Sequence, residues 1–285
     1  VNRIVVRFAG DSGDGMQLTG ERFTSASALF GNDLATLPEF PAEIRAPQGT
    51  LAGVSAFQVQ VSDHDITTPG DAPNVLVAMN PAALKNELSK LEEAGTIIVN
   101  RDTFEERNLK KAGYEDNPLE TGELSGYTLF EVPMTSLTKE VCKGIEGIKP
   151  RDAERSKNFF ALGLVSWLYQ RPLEPTLDWI ETKFGKTPQV GAANNAALNA
   201  GHAYGETTEA FDYAYEVTPA QFEAGEYPNI NGNTALSGGL VAAGQLAQRP
   251  LQLTHRWQTG WQASATVVEI WKTITQKHLL CLGLV

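Results

Sequence analysis

The sequence predicts an α/β protein built around a largely parallel sheet, and two observations carry that reading. The chain opens on a β-branched run over residues 4–8 that breaks into the glycine cluster Gly10-Asp-Ser-Gly13-Asp-Gly15, and a helical pattern follows over residues 17–29. Further on, the apolar run 74–79, a helical pattern over 81–93 and the apolar run 96–99 form a strand–helix–strand unit. A crossover of that length places its two strands parallel in one sheet.

The remaining elements follow in order. Asn32-Asp33 marks a turn. Residues 37–50 hold Pro38, Pro41 and Pro47 with little periodicity and read as an ordered, functional loop. Residues 54–61 alternate as a half-exposed strand, with Val54, Ala56, Val59 and Val61 against Ser55, Gln58 and Gln60 and one slip near Phe57. Pro81 suits the first turn of a helix, and Gly95 ends it. The charged, glycine-dotted stretch 101–126 reads as a surface excursion, followed by a strand over 127–132 and a helix over 133–143. Helical patterns over 156–169, 177–184 and 189–202 suggest a helical layer closing the sheet, which makes three layers. Residues 206–230 are acidic and aromatic and read as a linker. A new helix begins after the Asn/Gly cap at Asn231-Gly232. No internal repeat or low-complexity segment is found.

Composition narrows the function. A chain of 285 residues, 42% hydrophobic, has room for one large domain or two ordinary ones and for a substantial core. A net charge of −11 disfavours nucleic acid as a partner. The charge is uneven: Arg249, Arg256, Lys272 and Lys277 against Glu269 give +3 over residues 249–285, leaving −14 on the first 248. Trp257, Trp261 and Trp271 also fall in that tail. The two cysteines, Cys142 and Cys281, form no CxxC pair, so the chain lacks the four thiolates of an iron–sulfur site, and their scarcity points to the cytosol. No apolar stretch approaches the ~20 residues of a membrane span. His64, His202, His255 and His278 have no metal-ligand spacing, so no metal site is expected.

The glycine turn points to an anionic ligand, because backbone amides at the start of the following helix face a crevice at the strand ends. It is not a dinucleotide fingerprint: the place of the second glycine is taken by Ser12, and Asp11 and Asp14 would repel a pyrophosphate unless they point away. No Walker-type G-x-x-x-x-G-K-[ST] is present, and no G-x-S-x-G elbow supports a hydrolase. The alternative for the loop is a tight strand-to-helix turn with no ligand.

Five motifs in order then resemble one family. Gly10-Asp-Ser12-Gly13-Asp-Gly15-Met with Gly20 resembles the opening of the gamma domain of 2-oxoacid:ferredoxin oxidoreductases, with Ser12 the departure from its G-x-G-G-x-G pattern. Glu39-Phe-Pro-Ala-Glu43-Ile-Arg45-Ala-Pro47 resembles that domain's Pro/Glu/Arg segment, and Asn74-Val-Leu-Val-Ala-Met-Asn80-Pro its second strand and helix. Arg155-Ser-Lys157-Asn158-Phe-Phe-Ala-Leu-Gly163 resembles the N-x-x-x-L-G helix of alpha subunits that carry this domain fused. Gly232-Asn233-Thr-Ala-Leu236 resembles the start of the domain after it. The resemblance covers residues 1–248, with the 2-oxoglutarate type nearest.

The resemblance implies a three-layer, Rossmann-like gamma domain over 1–205, a linker over 206–230, and the stub of a thiamine-enzyme pyrimidine-type domain from 231. It implies part of an alpha subunit that oxidatively decarboxylates a 2-oxoacid and passes the acyl group to coenzyme A. Thiamine diphosphate, magnesium and a 4Fe–4S cluster would be held mainly by a partner beta subunit, and ferredoxin would take the electrons. The implied coenzyme A neighbours are Gly10, Ser12, Gly13, Gly15, Arg45, Lys157 and Asn158, with no catalytic residue on this chain. Arg45 either pairs with a phosphate or forms a salt bridge to Glu39 or Glu43. Lys157 and Asn158 either approach the ligand or serve as solvated residue and helix cap. A rival reading of a different class is a non-catalytic nucleotide-binding or assembly module.

After Ala247 the resemblance stops where the family continues into its oxoacid-binding Tyr-Pro-Ile-Thr-Pro type segment. The switch to a basic, Trp-rich tail implies a truncated chain with a tail not selected for this fold, as a shifted reading frame would give. Residues 249–285 are then expected to pack poorly, and the chain to be inactive alone.

Overall fold

The computed structural model describes residues 1–43, 46–208, 215–223, 225, 227, 230 and 232–247. Arg45 and the tail 249–285 lie outside the described residues, and with them the expectations placed on both. The chain divides into two units, Val1–Glu223 and Ala224–Val285.

The first unit is a six-stranded sheet in the order β2-β3-β1-β4-β5-β6. Strand β1 (Arg3–Asp11) is central. It pairs in parallel with β4 (Val75–Ala78), which continues in parallel to β5 (Thr96–Asn100) and β6 (Thr128–Val132). On its other side β1 pairs antiparallel with β3 (Val54–Ser62), and β3 with the edge strand β2 (Asp33–Glu39). The sheet is thus parallel over β1, β4, β5 and β6 and carries an antiparallel arm. The apolar runs read as buried strands are buried because helices cover both faces.

On one face, Ile4, Val6 and Phe8 pack with Phe57, Val59 and Val61 against α1 (Met16–Phe30) and α6 (Lys157–Leu168). On the other face, Leu76, Ala78, Ile97 and Val99 pack against α2 (Pro81–Glu87) and α3 (Glu106–Ala112). Beyond these lie α4 (Met134–Cys142), α5 (Pro150–Arg155), α7 (Glu174–Phe184) and α8 (Pro188–Thr207). Helix α8 can lie close on α6 because glycines meet there: a Cβ on Gly163 would stand 2.0 Å from the Leu198 carbonyl oxygen, and one on Gly201 2.0 Å from that of Phe160. The alanine- and asparagine-rich sequence of α8 serves this backbone-to-backbone packing.

Four local expectations change. Strand β3 is buried along its whole length rather than half-exposed. Two of its enclosed polar side chains have partners: Gln58 donates to the Pro69 and Gly70 carbonyls at 2.9 and 2.7 Å, and Ser55 Oγ accepts from Gln17 at 3.0 Å. The loop read over 37–50 begins as strand, since β2 runs to Glu39 and holds Pro38; an edge strand tolerates the missing N–H. Within 101–126, Phe104, Leu109, Ala112 and Leu124 are buried against the sheet, so the charged residues hide a helix whose apolar side is narrow. Within the segment read as a linker, Val217 is buried in the first unit, the Tyr215 amide donates to Leu168 O at 2.7 Å and the Ala220 amide to Gly31 O at 2.9 Å.

Arg7 sits mid-strand in β1 yet is 1% exposed. It pairs with the equally buried Glu87 of α2 and with Glu39 of β2, and Nη1 donates to Gln58 Oε1 at 3.1 Å. Lys90 closes the group, 3.0 Å from Glu39 and 3.1 Å from Glu87. Burial works to raise the Glu39 carboxyl, but Lys90 and Arg7 outweigh it and hold it below its ordinary value. Two cations and two carboxylates thus tie the antiparallel arm to α2.

In the second unit, α9 (Gly232–Ala247) starts at the glycine of the expected cap. Asn231 lies outside the described residues.

Candidate functional site

The topology itself locates a crevice. Helix α1, after β1, covers one face of the sheet, and α2, after the neighbouring β4, covers the other. Chain segments leaving β1 and β4 therefore diverge, and open parallel sheets bind ligands at such a switch point, outside the carboxyl ends of the strands. A cleft of about 580 Å³ opens there, lined by Asp11, Gly13 and Asp14 of the glycine turn, Gln48 and Gly49, Met79 and Asn80 at the end of β4, and residues of α3, α4 and α5.

The turn is built by hydrogen bonds that occupy its carboxylates. The Asp14 amide donates to Asp11 O at 2.8 Å, and the Asp11 amide to Asp14 Oδ2 at 3.1 Å. The Gly49 amide donates to both carboxylate oxygens of Asp11, each at 3.0 Å. Burial pushes the Asp11 carboxyl up, against the Gly49 hydrogen bond, and the charge of Asp14 adds to the rise. Asp14 is answered by Lys157, whose Nζ is 2.9 Å away.

The expected site residues divide. Gly13 and Lys157 line the cleft. Gly10 lies beneath the turn, where a Cβ would meet Asp14 Oδ2 at 3.1 Å and Met16 Cγ at 3.2 Å. Ser12 is exposed, its amide donating to Gly53 O at 3.2 Å. Gly15 adopts φ +77°, and a Cβ there would stand 2.5 Å from Asn158 Nδ2. Asn158 is buried under that glycine, and its Oδ1 accepts from the Phe159 amide at 3.0 Å. Gly10, Gly15 and Asn158 therefore shape the turn from below, and Ser12 is not among the residues that line the cleft.

The structure adds residues that the sequence did not single out. Lys111, Lys139, Arg151 and Arg155 join Lys157, giving five cations in the lining against Asp11, Asp14 and Glu154. Lys139 pairs with Glu154 at 2.9 Å, and its hydrogen bond and charge hold the Glu154 carboxyl below its ordinary value. Lys111 Nζ is 3.4 Å from Gln48 O, and Arg151 has no ion-pair partner among the described residues. Asn80 caps α2 by accepting from the Ala83 amide at 2.8 Å, while its side chain is turned to the Asp11 carboxylate, which it helps to hold ionised. Lys111, Lys139 and Arg151 lie far apart in sequence on three helices, so no local spacing could have shown them. Asn80 stood inside the Asn80-Pro81 motif, where a capping asparagine is the ordinary reading. No group of three or more His, Cys, Asp or Glu side chains comes together as a metal site among the described residues. No helix among them is long and apolar enough to cross a membrane.

Comparison with known proteins agrees with this fold. A family model described as pyruvate ferredoxin/flavodoxin oxidoreductase matches residues 5–204. The 2-oxoglutarate oxidoreductase subunit KorA of Mycobacterium tuberculosis is 58% identical over 253 residues, 89% of this chain and 39% of that protein. The 2-oxoglutarate synthase subunit KorC of Methanothermobacter thermautotrophicus is 31% identical over 107 residues, 37% of this chain and 53% of that subunit. A solved 2-oxoglutarate:ferredoxin oxidoreductase from Magnetococcus marinus, with 2-oxoglutarate, coenzyme A and succinyl-CoA bound, superposes with a TM-score of 0.61 at 25% identity, over 85% of this chain and 37% of that one. The chain spans about two fifths of the length of KorA and of the Magnetococcus chain. With the family model covering most of its length, the chain belongs to the pyruvate ferredoxin/flavodoxin oxidoreductase family.

Proposed function

We propose that the chain forms part of a 2-oxoglutarate:ferredoxin oxidoreductase and that its first unit holds the phosphates of coenzyme A in the cleft at the strand tips. The observation that carries this is the set of five cations gathered where Gly13 leaves the backbone bare. A ligand with a diphosphate and a further phosphate needs several donors in one place, and guanidinium and ammonium groups supply the strong, charge-assisted bonds. The relatives' names favour 2-oxoglutarate as the oxoacid.

In this reading, Arg151, Lys111 and Lys139 meet the phosphates, and Asn80 lines the cleft beside Asp11. Lys157 serves with them, shared with Asp14. Of the residues first expected, Gly13 allows close approach, Gly10, Gly15 and Asn158 hold the turn in shape, and Ser12 ties the turn to Gly53. Arg45 belongs to the same proposal through its motif alone. The chain's part in the reaction is to bind and orient the acyl acceptor.

The resemblance places thiamine diphosphate with its magnesium, and the iron–sulfur cluster, mainly on another subunit. Among the described residues no group of three or more His, Cys, Asp or Glu side chains comes together, and Cys142 is buried with its thiol pushed up by burial. These groups are assigned to a partner beta subunit, which would pass electrons to ferredoxin. Isothermal titration tests the proposal: coenzyme A should bind, and NAD, FAD and ATP should bind more weakly or not at all. Nucleotide binding with no response to coenzyme A would favour the non-catalytic module.

A further inference from the structure

The first unit carries a second cleft, of about 490 Å³, walled by Phe30, Trp167, Gln170, Arg171, Pro172 and His202. It shares no lining residue with the cleft at the strand tips. Arg171 follows the end of α6, where Gln170 takes φ +52° and the Arg171 amide donates back to Ser166 O at 2.7 Å. Its side chain is drawn inward and the residue is 2% exposed. The guanidinium carbon lies 4.5 Å from the Phe30 ring centroid, and Nη2 makes one long bond to Val217 O at 3.4 Å. Nε and Nη1 are buried with no partner, and no carboxylate pairs with this guanidinium among the described residues. Burial lowers its pKa to about 10, so it stays charged at neutral pH.

A buried cation that lacks both a counterion and acceptors for its N–H groups is costly. Such a group is explained when a ligand brings the missing charge. The walls decide which ligand. One guanidinium, beside Gln170 and His202 and three largely apolar side chains, Phe30, Trp167 and Pro172, suits a single negative charge on an apolar body. A phosphate dianion would carry a second charge that the single guanidinium of this lining does not answer. The cleft's volume lies in the range of small-molecule sites. We infer that this second cleft binds a small carboxylate with an apolar body, the carboxylate meeting Arg171 and the body lying against Phe30, Trp167 and Pro172. The competing role for Arg171 is structural, holding the segment around Val217 against the end of α6.

Benzoate is a suitable probe, titrated into the whole chain with thermal denaturation as the readout and benzamide and inorganic phosphate as controls. Benzoate is expected to raise the melting temperature by about 3–6 °C at ten times its dissociation constant, and benzamide and phosphate to leave it unmoved. In Arg171→Met the response to benzoate is lost, while the unliganded protein melts at the same temperature or higher. In Arg171→Lys, which keeps the charge, benzoate binds at least about tenfold more weakly. The inference is overturned if benzamide or phosphate stabilises as well as benzoate, if benzoate has no effect, or if the response survives Arg171→Met. No response to benzoate, together with a lowered melting temperature in Arg171→Met, would assign Arg171 to holding Val217.

Discussion

Lys157 Nζ lies 2.9 Å from Asp14 Oδ1, joining the first residue of α6 to the glycine turn after β1. Both side chains are 13% exposed, so the pair is shielded from bulk water and its charges matter more than those of a surface pair. A phosphate entering the cleft competes with Asp14 for this lysine. Asp14→Asn is therefore expected to tighten coenzyme A binding severalfold by freeing the cation. Lys157→Met removes a charged donor worth ~1.5–3 kcal/mol and leaves Asp14 unpaired, so affinity should fall about tenfold or more. Titration calorimetry on both variants checks the opposite signs.

The turn depends on Gly15 for a different reason. At φ +77°, with Asn158 Nδ2 2.5 Å from where a Cβ would stand, alanine meets both a left-handed backbone and a collision. Gly15→Ala should cost about 2 kcal/mol or more and lower the melting temperature. Gly15→Ala combined with Asn158→Ala relieves the collision and should recover part of that loss. If the double variant recovers nothing, the contact is not the cause.

Much of this fold was legible in the sequence because its informative signals were local. The runs at 4–8, 74–79 and 96–99 carry apolar residues on both faces, with Arg7 the one charge among them, as central parallel strands require, and Asn80-Pro81 marks a helix start. What escaped was set by tertiary position. Pro38 disguised an edge strand. Gln58 and Gln60 disguised burial in β3. The charges around Leu109 disguised a helix that covers the sheet. The cleft was half legible: Gly13 and Lys157 belong to readable motifs, whereas Lys111, Lys139 and Arg151 meet only because three helices converge at the strand tips.

Arg7 makes the strongest prediction about stability. Removing it as Arg7→Met leaves the buried Glu87 carboxylate with Lys90 as its remaining cation and the Asn86 amide at 2.6 Å, and breaking a buried pair in this way costs ~3–5 kcal/mol. Replacing both partners, as Arg7→Met with Glu87→Leu, should restore most of the loss, because an apolar pair of similar volume leaves no uncompensated charge. Denaturant unfolding of the single and double variants measures this. Additive losses in the double variant would mean the two groups act independently.

Asp11 gives a pH dependence. Its carboxyl is raised in the folded chain above the value of 3.8, chiefly by burial. The folded protein then keeps the proton to higher pH than the unfolded chain does. Stability from this group is present below 3.8 and is lost as pH rises through the folded value, so the ionised carboxylate costs stability near neutrality. Asp11→Asn retains an acceptor for the Gly49 amide and removes the charge. It is expected to raise the melting temperature at neutral pH, with the gain vanishing as the pH falls below 3.8. Thermal scans across that range check it, and a gain independent of pH would contradict the assignment to ionisation.

The central claim is that the cleft at the tips of β1 and β4 holds the phosphates of coenzyme A. Calorimetric titration of coenzyme A into the chain and into its Arg151→Ala variant, each at low and high salt, tests it most directly. The account predicts binding that weakens as salt rises and falls about tenfold or more in the variant, because charge-assisted contacts in an open cleft carry the affinity. Binding unaffected by both salt and Arg151→Ala, or no binding of coenzyme A beside clear binding of NAD or FAD, would contradict it.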